Sequence, residues 1–197
     1  MNILLINYYM VRKIILNLAI SLDGFIADNK GSFTWIKGNG DNNQDTKKQF
    51  DFTKFSKSVD TIVMGRKAYN DSYEISKKML ESKKVLVATY KELKNKEDNI
   101  EIISGDIVSK ITKLKKEKGK NIWLFGGGVV IDPFIKANVI DEYIIGVIPI
   151  ILGSGRPLFL ENNPLIKLHL NESTSQEGIV ILKYTKRKIK KNSPTRI

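Results

Sequence analysis

Cysteine is absent from the 197 residues, and histidine occurs once, as His169. Without thiols the chain can form no disulfide, no zinc–thiolate site and no cysteine nucleophile. One imidazole cannot build a His-rich metal site, nor serve a Ser-His-Asp triad with a base to spare. No metal is therefore expected. Arginine is scarce as well: 5 of the 33 basic residues are Arg and 28 are Lys. Base-edge and phosphate-fork recognition leans on Arg, so the net charge of +12 does not by itself argue for a nucleic-acid partner. Lys excess accompanied by 28 Ile and 16 Asn is the pattern that AT-rich coding produces. No segment approaches the roughly 18 uninterrupted apolar residues of a membrane span. The start, MNILLINYYM, lacks the basic region and small-residue cleavage site of a secretion signal. A cytoplasmic protein with no membrane partner is expected.

What remains is enough for one packed domain. Hydrophobic residues make up 42% of the chain, and the length fits a single core. The run KIILNLAISL at 13–22 reads as a strand buried on both faces, as in a parallel sheet. Further strands are predicted at 59–64, 84–88, 100–103 and 121–125, with helices over 44–58, from 68 to about 82, over 106–118 and over 129–137. Long strands at 139–151, 165–173 and 178–186 follow, with Gln176-Glu177-Gly178 as the last turn. Strands alternate with helices early and follow one another late. The pattern is α/β: a mainly parallel central sheet with flanking helices and a C-terminal antiparallel hairpin.

Four places where predicted strands end carry chemistry. Strand 121–125 runs into Gly126-Gly127-Gly128, which opens a helix; backbone without Cβ and free helix N–H groups suit a pyrophosphate. The spacing is not G-x-G-x-x-G, which disfavours the classical dinucleotide fold. Gly65-Arg66-Lys67 places two cations at another strand end, either a solvated charged turn or a pair suited to the 2′-phosphate that separates NADPH from NADH. Thr89-Tyr90-Lys91 offers a hydroxyl, an aromatic face and a cation. Asp23-Gly24 is a turn former whose carboxylate could also orient a substrate or relay a proton. Arg156, in the glycine-rich loop Gly153-Ser154-Gly155, is either a surface charge or a ligand for a substrate phosphate.

In this order, ISLDGFIA at 20–27, VMGRKAY at 63–69, VLVATY at 85–90, IWLFGGGVV at 122–130 and PIILGSGRPLF at 149–159 resemble the dihydrofolate reductase superfamily. The sequence is most similar to the riboflavin-biosynthesis reductase domain and its stand-alone relatives. The resemblance spans about residues 12–185. It implies a dihydrofolate-reductase-like fold and hydride transfer from NADPH to a C=N or C=O of a small heteroaromatic substrate. In the riboflavin branch that substrate is a ribosylamino-pyrimidine phosphate. It further implies Ala19 beside the nicotinamide with Ile26 and Ala27 closing over it. Gly65, Arg66 and Lys67 would hold phosphate, Thr89 and Tyr90 would flank the adenosine end, and Gly126, Gly127, Gly128 and Val129 would cradle the pyrophosphate. Asp23 is the candidate catalytic group, and Asp51, Gly153 and Arg156 are candidates for the substrate. A homodimer is expected.

Folate reductases carry an acid on the first long helix; here Asp45 and Asp51 are available, neither in clear register. A folate reductase and a non-enzymatic ligand- or nucleic-acid-binding protein are the alternatives. The reductase domain is expected over 12–186, with 1–11 as an N-terminal extension, unmatched in the family pattern, and 187–197 as a basic tail.

Overall fold

The structure, a computed structural model, describes residues 11–93 and 97–187. Apart from Val11 and Arg187, the expected extension and basic tail lie outside the described residues. The elements in chain order are β1 (Ile14–Ser21), β2 (Phe25–Ala27), α1 (Phe52–Lys57), β3 (Val59–Gly65), α2 (Arg66–Leu80), β4 (Lys84–Ala88), β5 (Ile100–Ile103), α3 (Ile107–Leu114), β6 (Asn121–Gly126), α4 (Gly128–Lys136), β7 (Glu142–Ile148), β8 (Arg156–Pro157), β9 (Leu168–Gln176) and β10 (Ile179–Lys186).

Eight strands form one sheet in the order β5-β4-β3-β6-β1-β7-β10-β9. The first six are mutually parallel, and β10 and β9 complete the sheet antiparallel. The parallel strands are Ile-, Leu- and Val-rich because both of their faces are covered. One face packs Ile14, Leu16, Val63, Leu124, Ile131 and Phe134 into a core beneath α3 and α4. The opposite face packs Ile15, Phe55, Ile62, Met64, Tyr69 and Trp123 beneath α1 and α2. Alternation along β1 thus sends even-numbered residues to the first core and odd-numbered ones to the second.

Glu177 (φ +50°) and Gly178 (φ +78°) make the β9–β10 turn with both central residues left-handed, the twist a two-residue hairpin favours. At the lower end of β1, Arg12 is 4% exposed. Its guanidinium binds Asp60, the Thr61 hydroxyl at 2.7 Å and the Lys120 carbonyl at 2.5 Å, so the buried charge is paired and satisfied.

Two expectations are corrected and one element is new. The helix expected over 44–58 is confined to Phe52–Lys57. The residues before it belong to a long loop clipped to the β9–β10 turn by Asn39 N–H to Glu177 O (2.9 Å), Thr46 N–H to Ser175 O (3.0 Å) and Glu177 N–H to Asp45 (2.7 Å). Polar backbone pairing there outweighs the weak aromatic spacing of the sequence. The strand expected over 139–151 is Glu142–Ile148. Asp141 instead accepts the Ile14 N–H at 2.8 Å, and Pro149 has no N–H to extend a ladder. Finally, β2 and β8 form a small antiparallel pair that nothing in the sequence pattern announced.

Candidate functional site

The parallel strands end along one edge, and there the sheet splits. β1 pairs with β6 only through Leu16↔Leu124, yet it continues beside β7 through Ser21↔Ile148. β6 meanwhile stays with β3 to Met64↔Gly126. Residues 17–21 of β1 and 125–127 at the end of β6 therefore face each other without a ladder. Leu18, Ala19 and Ile20 are only half-buried although β1 is a central strand. Past the last pair, the Asn17 carbonyl accepts the Trp123 indole N–H at 2.7 Å.

On the α1 side the walls of this split differ sharply. The β6 wall is aromatic: Trp123 lies 5.0 Å from Phe55, 5.1 Å from Phe125 and 5.8 Å from Phe52, centroid to centroid. The β1 side is small. Ala19 registers with Gly146 of β7, and a Cβ on Gly146 would have Ala19 at 3.9 Å.

Two helix N-termini frame the same edge. α2 starts after Gly65 and α4 after Gly127, and neither has a side-chain cap. By contrast α1 is capped by Asp51, which accepts the Lys54 N–H at 2.8 Å, and α3 by Asp106, which accepts the Ser109 N–H at 3.0 Å. A carboxylate cap satisfies the N–H groups and repels anions; an uncapped glycine leaves the positive helix end open to one. Gly127 sits at φ +79° with nothing within 4 Å of the place a Cβ would take, so that space is free for a ligand. Gly128 is different: its Cβ would fall 2.7 Å from the Pro157 carbonyl. Its glycine is a packing requirement between α4 and β8. Gly65 is likewise tight, with Val130 at 3.0 Å, and Gly126 faces Ala68 at 3.7 Å.

The other candidate residues fall as follows. Arg66 and Lys67 open α2, half-buried and exposed respectively, and have no acidic partner among the described residues. Thr89 and Tyr90 follow β4. The Thr89 hydroxyl accepts the Lys91 N–H at 3.0 Å; the Tyr90 ring is 87% exposed and its hydroxyl accepts the Gly105 N–H at 3.2 Å. Val129 is exposed beside Gly128. Ile26 packs on the first core, and Ala27 is buried in the β2–β8 pair opposite Arg156.

Asp23 is fully engaged. Its carboxylate accepts the Ser21 hydroxyl at 2.5 Å, the Leu152 N–H at 3.1 Å and the Gly153 N–H at 2.7 Å. The Ser21 hydrogen bond, aided by those amides, holds its carboxyl below the ordinary value. Those three hydrogen bonds make it a brace between two loops. Asp51 is occupied as the α1 cap. Arg156 lies against Gly31 and pairs loosely with Asp71 at 3.6 Å, with its side chain 38% exposed. Asn17, whose Nδ2 has no hydrogen-bond partner among the described residues, escaped the sequence reading. Its only signal was a lone amide inside an apolar run.

Comparison with known proteins fits this geometry. Residues 12–81 and 76–181 match the RibD C-terminal domain. The chain belongs to that family. It is 35% identical over 187 residues to Uncharacterized protein YyaP of Bacillus subtilis (strain 168), covering 88% of this chain and 94% of that one. A crystal structure from Shewanella sp. PV-4, named for riboflavin biosynthesis, superposes with a TM-score of 0.76 at 28% identity, over 89% of this chain and 99% of that one. Dihydrofolate reductase from Enterococcus faecalis, complexed with NADP(H), shares the fold at a TM-score of 0.58 and 15% identity, covering 89% of this chain and 97% of that one. The fold is dihydrofolate-reductase-like. No helix among the described residues is long and apolar enough to cross a membrane.

Proposed function

We propose that this member of the RibD family is an NADPH-dependent oxidoreductase acting on a small, phosphorylated heteroaromatic compound, of the 5-amino-6-(5-phosphoribosylamino)uracil reductase type. The observation that carries the reading is the split between β1 and β6 flanked by two uncapped, glycine-led helix N-termini. A dinucleotide needs that combination: a slot for a flat ring and nearby positive helix ends for phosphates. When bound, NADPH would supply the hydride.

The chain's own residues do the rest. Gly127 leaves the α4 N–H groups accessible to the pyrophosphate. Arg66 and Lys67 provide positive charge for the 2′-phosphate. Ala19 keeps the β1 side of the slot shallow. The aromatic wall of Trp123 and Phe125 keeps water from the ring. Asp23 holds the loop at 152–153 against the turn after β1, and Gly153 and Arg156 on that loop are the substrate-side contacts. Arg156, only loosely paired, is free to take a substrate phosphate.

A folate reductase is disfavoured by α1. Its first turn holds no acid, Asp51 is its cap, and Asp45 is tied to the Glu177 N–H. On the terminal hairpin Leu168, Leu170 and Val180 keep exposed apolar area, and we assign that face to the contact of the expected homodimer. The functional test is a thermal-shift titration of the protein with NADPH and with NADH. A larger shift with NADPH is expected; equal shifts, or none, would refute the reading.

A further inference from the structure

Arg156 is fixed along its backbone and loosely held at its head. Its backbone pairs with Ala27 of β2. Two residues before it, the Ser154 hydroxyl accepts the Asn29 side-chain N–H at 2.7 Å. Two residues after it, the Leu158 N–H reaches the Gly24 carbonyl at 3.0 Å. The side chain crosses the turn at 28–32, where Gly31 sits at φ +88° and a Cβ would overlap the guanidinium. The head is therefore seated on bare backbone. Beyond that seat it meets α2, where it forms an ion pair with Asp71 at 3.6 Å. A charge-assisted hydrogen bond closes to about 2.8 Å, so this pair is attracted but not bonded. Pro157, next in the chain, places its carbonyl against Gly128 at the start of α4. The side chain thus runs from the α4 terminus to the flank of α2, between the two uncapped helix ends.

We infer that Asp71 is a specificity-determining residue that acts through Arg156: it parks the guanidinium in the ligand-free protein, and a ligand's phosphate ester takes the guanidinium from it. The exchange favours phosphate. A phosphate ester brings a charge of about −1.5 to −2 and three acceptor oxygens, and it meets the guanidinium fork with two parallel hydrogen bonds. A carboxylate ligand offers only what Asp71 already offers, so its exchange gains nothing and it is rejected. The inference rests on the proposed role of Arg156 as a contact for the substrate phosphate. It adds the residue that decides which anion reaches that contact.

The experiment is a double-mutant cycle on the full chain, with ribose 5-phosphate as the probe, in the presence and absence of NADPH. Asp71→Asn keeps the side-chain shape and removes the charge. It should tighten ribose 5-phosphate binding about three- to fivefold, the most that an exposed ion pair holds back. In the Arg156→Ala background the same substitution should change nothing. An equal gain in both backgrounds would be plain removal of a negative charge and would overturn the inference, as would no gain or a loss. The Arg156 Nε–H resonance gives a second reading, in a chain with only 5 Arg. In wild type it should shift with inorganic phosphate and stay in place with acetate; in Asp71→Asn it should shift with both. A wild-type signal that follows acetate as readily as phosphate would also overturn the inference. If NADPH fails to bind while the Arg156-dependent gain persists, the cofactor reading falls and this one stands.

Discussion

The Gly153 amide donates to the Asp23 carboxylate at 2.7 Å across a separation of 130 residues, which ties the turn after β1 to the loop after β7. Three donors converge on that carboxylate. A carboxylate in this setting is best at holding still, and the predictions begin from it.

Replacing Asp23 with Asn removes the charge that those donors favour. The folded carboxyl titrates below its ordinary value of 3.8. Its contribution to stability is therefore present above the unfolded value and lost as pH falls through the lower, folded one. Asp23→Asn should lower Tm at pH 7, and the gap to wild type should close as pH drops below about 4. Melting curves across pH 2–7 check this; a gap that does not vary with pH would exclude the brace.

Arg66→Ala combined with Lys67→Ala should weaken NADPH binding about 10- to 100-fold, the range of one charge-assisted hydrogen bond, and leave NADH binding nearly unchanged. Calorimetric titration of both cofactors gives the ratio. Equal losses would remove these cations from the 2′-phosphate.

Gly127 and Gly128 should behave oppositely. Gly127→Ala places a methyl in open space at φ +79°; strain of about 1–3 kcal/mol is expected, with a large loss of NADPH affinity. Gly128→Ala drives a methyl onto the Pro157 carbonyl, so it should cost more stability than Gly127→Ala. Tm and cofactor affinity measured on both variants separate the two roles.

Arg156→Ala should leave the unfolding free energy within about 1 kcal/mol of wild type, because a half-exposed pair at 3.6 Å contributes little. It should instead weaken binding of a phosphorylated ribose, tested with ribose 5-phosphate on the NADPH-loaded protein. Unchanged ribose phosphate binding would leave Arg156 as a surface charge.

The strand ends and glycines were legible because local chemistry writes them. Apolar runs such as 84–88 and 100–103 coincide with β4 and β5, and the three glycines mark the start of α4. What the sequence could not show depends on contacts across long separations. The engagement of Asp23 needs residues 152–153, the shortening of α1 needs the β9–β10 turn, and the packing role of Gly128 needs Pro157. Asn17 was hidden because a single polar residue in a strand does not announce which neighbours will fail to pair with it.

The loop from 149 to 159 is fastened at both ends. Asp23 holds its Leu152–Gly153 end. At the other, Pro157 abuts Gly128, while Leu158 is wholly buried and donates its N–H to the Gly24 carbonyl at 3.0 Å. A ligand seated on the α4 terminus and one seated on this loop therefore share a strut. Whatever factor the first changes in the affinity of the second, the second must return to the first, in either order of addition.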